Sequence, residues 1–174
     1  MSKVLIVIDM LNDFAHKDGA LFFPGAAEII PVVKERIEAY MEAGDIIMFL
    51  CDAYATNDKE FARFPRHSVK NTWGAGVVGE LVVALKGYEI VYLPKTRYSG
   101  FYKTELEIEL IQRKADEVEV VGVCTSICVM DTVGGLADRD YEITVPLNAI
   151  ADFDPEASAA AINRMSGLYG AKFV

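Results

Sequence analysis

Three residues with complementary chemistry stand at the ends of separate apolar segments. Asp9 follows the apolar run at residues 4–8, and Lys95 follows a second run at residues 90–94. Cys128 comes after an apolar segment and a short turn, close to the predicted start of a helix. The sequence therefore predicts an acid, a cation and a thiol at the ends of three strands.

This combination of groups is suited to nucleophilic catalysis by cysteine. A free cysteine has a pKa of about 8.5, so it needs a nearby cation, a helix N-terminus or a base. Lys95 is expected to favour the Cys128 thiolate, and Asp9 to accept the thiol proton and return it to a leaving amine. Backbone N–H groups of the turn before Cys128 would stabilise a developing oxyanion. The predicted reaction is acyl transfer through a thioester that water hydrolyses.

Each of these residues also has a purely structural interpretation. A lone cysteine in an apolar α/β segment is commonly a small buried hydrophobe, and Cys51 fits that description. An aspartate at a strand end commonly caps the next turn, and a lysine there commonly extends into solvent. The joint placement of all three at equivalent strand ends favours catalysis.

Composition limits the classes of function. The 174 residues suit one domain, residues 1–174, since no linker-like segment or internal repeat divides them. A net charge of −9 with 17 scattered Lys and Arg residues argues against nucleic acid as a partner. No apolar stretch approaches the roughly 18 residues that span a bilayer, and no leader-like segment precedes the first strand, so a cytoplasmic protein without a membrane partner is expected. The three cysteines are expected to be reduced.

Short β-branched segments alternate with helical patterns along the chain. The predicted strands are residues 4–8, 45–50, 89–93, 118–123, 142–145 and 171–174. They are apolar on both faces, which is typical of a sheet covered by helices on both sides. The predicted fold is a three-layer α/β/α domain with about six mainly parallel strands. Functional groups in such sheets lie beyond the carboxyl ends of the strands.

Local signals mark several helix ends. Gly44 predicts a left-handed stop for the first crossover helix. Thr104 and Glu107 predict a capping box, and Asp154 followed by Pro155 predicts the start of the last helix.

Several motifs resemble those of the isochorismatase-like cysteine hydrolase superfamily, which includes nicotinamidases and N-carbamoylsarcosine amidases. The matching segments span most of the chain, and together they are far more specific than any one alone. They are residues 7–14 (VIDMLNDF), 51–54 (CDAY), 64–67 (FPRH), 95–101 (KTRYSGF) and 122–129 (GVCTSICV).

The resemblance implies a catalytic triad of Asp9, Lys95 and Cys128. It also implies an oxyanion hole formed by the backbone amides of Cys124 and Cys128, and a cis peptide bond between Val123 and Cys124. Family members with isochorismatase activity hydrolyse a vinyl ether and lack the nucleophilic thiol. The presence of Cys128 therefore favours the amidase branch, which hydrolyses C–N bonds.

The resemblance raises the question of a metal. Asp52, Glu60 and His67 align with positions that bind zinc or a similar divalent metal in nicotinamidases, where the metal contacts the pyridine nitrogen. Tyr54 stands where a further histidine is expected, and a phenol is a poorer metal ligand than imidazole. Two interpretations stay open: a metal bound by three residues, or Asp52 and His67 bonding each other or a substrate.

By the same analogy, Phe14, Phe64, Tyr98 and Phe101 are expected to line the pocket, where a flat substrate such as nicotinamide would suit them. Arg97 or Arg66 would instead pair with a carboxylate, as a carbamoyl amino acid requires.

The predicted function is a nicotinamidase-like hydrolase of a small-molecule amide, with another carbamoyl or ureido amide hydrolase as the alternative. A catalytically silent relative that binds a metabolite is the third possibility. Family members usually self-associate, so a homodimer or homotetramer is expected.

Overall fold

The computed structural model describes residues 2–174, and its centre is a parallel sheet of seven strands. The order is β3-β2-β1-β4-β5-β7, and the short strand β6 pairs with β4. The strands are β1 Ser2–Ile8, β2 Ile46–Asp52, β3 Val91–Lys95, β4 Ala115–Val123, β5 Glu142–Val145, β6 Ile150–Ala151 and β7 Lys172–Phe173. The predicted parallel α/β fold is confirmed, and the added strand β6 has two residues, too few to give a sequence pattern.

Helices cover both faces of the sheet. They are α1 Asn12–Ala15, α2 Pro24–Glu28, α3 Ile30–Ala43, α4 Gly79–Ala84, α5 Leu106–Gln112, α6 Met130–Ala137 and α7 Pro155–Gly167. Single 3₁₀ turns occupy Lys59–Ala62, Trp73–Ala75 and Leu147–Ala149. No helix among residues 2–174 is long and apolar enough to cross a membrane.

The central strand β1 contributes to two separate hydrophobic cores. Leu5 and Val7 point into the core formed with α2, α3 and α4. Val4, Ile6 and Ile8 point into the core on the opposite face, formed with α5, α6 and α7. Because successive strand side chains point to opposite faces, a continuous apolar run is needed to fill both cores.

Two predicted helix ends are confirmed. Gly44 follows α3 with a φ of 72°, in the left-handed region that glycine occupies without strain. Asp154 precedes α7, and its Oδ1 accepts hydrogen bonds from the N–H groups of Glu156 and Ala157.

The predicted capping box before α5 is only half present. Thr104 Oγ1 accepts a hydrogen bond from the Leu106 N–H group at 3.2 Å. Glu107 does not reach back to the Thr104 backbone, because its carboxylate pairs with Arg139 at 3.0 Å. The prediction of reciprocal capping was therefore wrong.

The functional edge of the sheet is its carboxyl end. Asp52 and Lys95 are the last residues of β2 and β3, and they lie opposite each other in the register of that pair. Asp9 follows β1 directly. Close contact between β1 and β4 depends on Gly122, since a Cβ at that position would lie 2.0 Å from the Ile8 carbonyl oxygen. Four adjacent strands thus deliver their terminal groups to one place.

Candidate active site

Asp9, Lys95 and Cys128 meet at this edge of the sheet. The Lys95 ammonium nitrogen lies 2.7 Å from Asp9 Oδ2 and 3.3 Å from Cys128 Sγ. Asp9 and Lys95 are each 1% exposed and Cys128 is 6% exposed, so the three groups are shielded from bulk water. The structure brings together the three residues that the sequence placed at separate strand ends.

Asp52 is a fourth member of this cluster. Its Oδ1 lies 2.6 Å from Lys95 Nζ, and its backbone N–H donates to Asp9 Oδ1 at 2.7 Å. Burial, and then the negative charge of Asp9, raise the pKa of Asp52 to about 7, although Lys95 opposes the shift. The cluster therefore holds two carboxylates for one ammonium, and it exchanges a proton near neutral pH.

The thiol of Cys128 is held in its neutral form in the free protein. Burial raises its pKa well above the usual range, and this effect outweighs the nearby ammonium of Lys95. The negative charges of Asp9 and Asp52 act in the same direction as burial, as does a hydrogen bond to Asp9. Lys95 acts in the predicted direction, since it lowers the pKa of the thiol, but burial and the two carboxylates have the larger combined effect.

Lys95 keeps its charge in spite of its burial. Burial alone would lower the pKa of the ammonium, but Asp52 and Asp9 raise it well above the usual value. Asp9 Oδ2 has this ion pair but no hydrogen bond of good geometry. A lone pair of Asp9 is thus left for the thiol proton.

A sharp turn positions the thiol. The peptide bond between Val123 and Cys124 is cis, as the resemblance implied, and a single π-helical turn, Thr125–Val129, follows before α6. Within this turn the Ser126 N–H donates to Asp152 Oδ2 at 2.7 Å. The Cys124 carbonyl oxygen accepts from the N–H groups of two later residues of the turn, Ile127 and Val129. Asp152 was not identified from the sequence, which gave no sign that a residue 26 positions away would hold this turn.

A cavity of about 360 Å³ opens onto the cluster. Its walls are mainly aromatic and aliphatic, and its polar groups come from the cluster and from Glu60, His67 and two tyrosines. The lining residues are Asp9, Phe14, Ala20, Leu21, Phe22, Phe23, Asp52, Tyr54, Glu60, Phe64, His67, Tyr98, Cys124, Ile127, Cys128 and Phe153. Such a volume and lining suit a small, flat ligand.

The structure places only some of the predicted pocket residues in the wall. Phe14, Phe64 and Tyr98 line the cavity. The exposed aromatic residues Phe22 and Phe153 also line it and were missed, because they come from loops with no strand or helix pattern to place them.

Phe101 and Arg97 lie outside the cavity, contrary to prediction. The Phe101 ring packs against α6 and beneath the Arg139 guanidinium, 4.1 Å from the ring centroid. Arg97 Nη1 bonds the Asp58 carboxylate at 3.1 Å and the carbonyl oxygen of its neighbour Thr96. Arg97 is therefore neutralised by a carboxylate of its own chain.

Asp13 fixes two walls of the cavity to each other. Its Oδ2 accepts a hydrogen bond from the Ser68 N–H at 2.6 Å, next to His67. Its Oδ1 accepts from the N–H of Ala20 at 3.0 Å. One buried carboxylate thus sets the separation of the loops that carry residues 20–23 and His67.

The residues expected to bind a metal do not form a ligand set. Within residues 2–174, the one group of acidic, histidine or cysteine ligand atoms that lie within 4.8 Å of one another is Asp9, Asp52 and Cys128. The Lys95 ammonium already contacts all three of these side chains.

The expected ligands are also committed elsewhere. The Glu60 carboxylate pairs with Arg63 and accepts a hydrogen bond from the Tyr98 hydroxyl at 2.9 Å. His67 Nδ1 lies 2.7 Å from the Pro65 carbonyl oxygen, so one of the two ring nitrogens is already used. Together with the phenol at Tyr54, these contacts do not fit a divalent metal bound by Asp52, Glu60 and His67.

Comparison with known proteins agrees with this geometry. The family model described as the isochorismatase domain matches residues 3–174. The chain belongs to the isochorismatase family. Among solved structures, the isochorismatase-family chain is similar to the nicotinamidase/pyrazinamidase of Bacillus subtilis, with 33% identity, full coverage of both chains and a TM-score of 0.93. Together with the Cys128 thiol, this similarity supports an amidohydrolase.

Two further structures show the range of this isochorismatase-family fold. The pyrazinamidase of Pyrococcus horikoshii, solved in complex with zinc, is 32% identical over 100% of this chain and 99% of that one, with a TM-score of 0.92. The N-carbamoylsarcosine amidase of Thermoplasma acidophilum is 30% identical over 99% of this chain and 95% of that one, with a TM-score of 0.88.

Curated relatives in the isochorismatase family differ in activity. A probable inactive nicotinamidase of Arabidopsis thaliana is 29% identical over 96% of this chain and 89% of its own length. A ureidoacrylate amidohydrolase of Caulobacter segnis is 26% identical over 97% of this chain and 81% of its own length. Family membership therefore does not fix the substrate, which depends on the lining of the cavity.

Proposed function

We propose that this protein is a cysteine amidohydrolase that cleaves a small, neutral, heteroaromatic carboxamide such as nicotinamide. The observation that carries the proposal is the contact of Lys95 Nζ with both Asp9 and Cys128 at the floor of an apolar cavity. A thiol, a base and a fixed positive charge within bonding distance are the components of thioester chemistry.

The geometry supports a two-step reaction. Cys128 Sγ attacks the amide carbon while its proton passes to Asp9, and the C–S bond forms as the carbonyl becomes an oxyanion. Asp9 then gives the proton to the nitrogen, the C–N bond breaks and ammonia leaves a thioester. Water, deprotonated by Asp9, hydrolyses the thioester to a carboxylic acid and returns the thiol. Lys95 holds Asp9 in position and offsets the negative charge that develops beside it.

The oxyanion is proposed to bind the backbone N–H groups of Cys124 and Cys128. Three other N–H groups of the same turn are already used, by Asp152 for Ser126 and by the Cys124 carbonyl for Ile127 and Val129. Each donor aimed at the oxyanion contributes on the order of 3 kcal/mol to lowering the barrier.

The charge of the cavity favours a neutral substrate. Asp9, Asp52 and Glu60 line it, and no Arg or Lys side chain is among its lining residues within the described part of the chain. A ureido or carbamoyl acid would bring a carboxylate into this acidic lining without a free cation to bind it. A flat neutral ring instead matches the faces of Phe14 and Phe64.

Ammonia release from a panel of amides tests this proposal. Nicotinamide and pyrazinamide are expected to have a kcat/KM at least about tenfold higher than ureidoacrylate or N-carbamoylsarcosine. The reason is that burial of a carboxylate without a partner costs more free energy than a tenfold difference in kcat/KM represents. The rates are expected to be insensitive to EDTA and to added zinc, because the candidate ligands are already bonded within the protein. Preference for the ureido acids, or no ammonia from any amide, would overturn the proposal.

The proton of Asp52 predicts a pH dependence. Its loss near pH 7 places a second negative charge beside Asp9 and strengthens Asp9 as a base, so kcat/KM is expected to rise with pH through about 7, the pKa of Asp52. In Asp52→Asn this titration is absent, so the acid limb near pH 7 should be lost. The exposed Asp138→Asn variant serves as the control and should keep the limb near 7. A flat profile from pH 5 to 9 in the unmodified protein contradicts this role of Asp52.

A further inference from the structure

The Tyr54 hydroxyl is buried in the cavity wall without a hydrogen-bond partner. Within residues 2–174, three buried hydroxyl groups lack a partner, those of Tyr54, Ser68 and Thr125. Of these, only Tyr54 is among the residues that line the cavity, and its side chain is 0% exposed. Because buried hydroxyls are nearly always paired, an unpaired one beside a reactive cluster suggests a function.

The ring of Tyr54 is fixed, so the hydroxyl cannot turn away to find a partner. Its backbone N–H donates to the Ser68 carbonyl at 2.9 Å, and its carbonyl accepts from the Lys70 N–H at 2.9 Å. The ring packs edge-on against Phe61 and His67, with centroid separations of 5.8 Å and 5.2 Å. The hydroxyl is thus held in one place before any ligand arrives.

The hydroxyl keeps its proton and lies near the cluster. Burial, followed by the charge of Asp52, raises the pKa of Tyr54 far above that of a free phenol. A weak hydrogen-bonding interaction with the Tyr54 hydroxyl lowers the pKa of Asp52. Its distance and angles fall outside those of a well-formed hydrogen bond, so the hydroxyl has no well-formed partner in the free protein.

The other proton donors of the cavity are already committed. The Lys95 ammonium is shared between Asp9 and Asp52. The Tyr98 hydroxyl donates to Glu60 at 2.9 Å. The His67 ring donates to the Pro65 carbonyl oxygen through Nδ1, and in that tautomer Nε2 is an acceptor. A ligand with a hydrogen-bond acceptor therefore finds its side-chain donor at Tyr54.

We propose that Tyr54 is a specificity-determining residue whose hydroxyl donates a hydrogen bond to a ring nitrogen of a heteroaromatic carboxamide. The inference rests on the proposed amidohydrolase activity, which it deepens by naming the substrate atom that this protein recognises. An uncharged acceptor fits, because the neighbouring Asp52 and Glu60 would repel an anionic one. The residue selects the substrate and takes no part in the proton transfers at Cys128.

A pair of substrates and a pair of variants test the contact. Nicotinamide and benzamide differ by one ring nitrogen, and Tyr54→Phe differs from the unmodified protein by one hydroxyl. The unmodified protein is expected to prefer nicotinamide in kcat/KM, and Tyr54→Phe should reduce that ratio about tenfold, the usual effect of one neutral hydrogen bond. Tyr40→Phe is the matched control, since the Tyr40 hydroxyl faces Glu119, which does not line the cavity, and it should leave the ratio unchanged. A preference that persists in Tyr54→Phe overturns the inference.

The same comparison is made on binding, so that it does not depend on turnover. Dissociation constants for nicotinamide and benzamide are measured by calorimetry on Cys128→Ala, with and without Tyr54→Phe. If the unmodified protein releases no ammonia, the proposed function fails, while a tenfold loss of the binding ratio in Tyr54→Phe still supports the contact. An unchanged ratio, or no binding of nicotinamide, overturns it.

Thermal unfolding gives a second readout. Removal of an unpaired buried hydroxyl should raise the melting temperature of Tyr54→Phe by about 2–4 °C. A lower melting temperature would show that the hydroxyl is bonded within the free protein, and would overturn the inference.

Discussion

Cys128→Ala is expected to lower kcat for amide hydrolysis by a factor on the order of 10⁵ or more, because no other group in the cavity can form the thioester. The lining also contains Cys124, but its thiol is kept neutral by burial and by the charge of Asp152, and its pKa is raised. Asp9 and Lys95 remain in the variant but have no nucleophile to serve. The measurement is ammonia release at saturating nicotinamide.

Cys51→Ala is the matched control for the loss of a thiol. Cys51 is fully buried in β2 and faces the core rather than the cavity, so its removal should cost some stability while leaving kcat within about threefold. Mass spectrometry adds a positive test, since an acyl adduct trapped by acid quenching should map to Cys128 alone. Substantial hydrolysis by Cys128→Ala would contradict the thioester mechanism.

Much of the fold and the centre of the site could be predicted because both follow from the strands. Asp9, Lys95 and the turn before Cys128 each come at the carboxyl end of an apolar run, and parallel strands place such ends at one edge. The structure confirms the parallel sheet and brings these groups within 2.7–3.3 Å of the Lys95 nitrogen.

The rest of the site depends on contacts that have no local sequence pattern. The pairing of Asp52 with Lys95 follows from the register of β2 and β3, which cannot be read from either strand alone. The state of the Cys128 thiol depends on the sum of burial and three charges, whereas the sequence shows only which charges exist. Phe22 and Phe153 reach the cavity through loops, where no periodicity restricts the direction of a side chain.

Resemblance alone misplaced other residues for a related reason. Arg97 was expected to face a substrate carboxylate, but Asp58 binds it first. Glu60 was expected to bind a metal, but Arg63 and Tyr98 occupy its carboxylate. An aligned position gives the type of side chain, whereas its neighbours decide whether that side chain is free.

Lys95→Met is expected to abolish activity and also to lower the free energy of unfolding by about 3–5 kcal/mol. The substitution removes the cation that lies between Asp9 and Asp52 and leaves two buried carboxylates without a partner. Methionine retains most of the side-chain volume, so the loss comes from charge rather than from packing. Chemical denaturation at pH 7 measures the effect.

Lys172→Met is the control for loss of an ion pair. Lys172 pairs with Glu142 at 2.8 Å, but both side chains are more than 60% exposed, so this change should cost less than about 1 kcal/mol. A similar loss of stability in the two lysine variants would contradict the assignment of Lys95 as the counter-ion of a buried carboxylate pair.

The pH dependence of stability in Lys95→Met separates charge from packing. Asp52 already has a pKa raised from 3.8 to about 7, and removal of Lys95 takes away the main influence that lowers it. Between pH 3.8 and about 7 the folded protein binds more protons than the unfolded chain. The free energy of unfolding therefore falls as pH rises through this range. The deficit of Lys95→Met relative to the unmodified protein should therefore be small near pH 4 and grow toward pH 8. A deficit that stays constant with pH would mean that Lys95 stabilises the fold through its packing, and the two carboxylates would then need no cation to coexist.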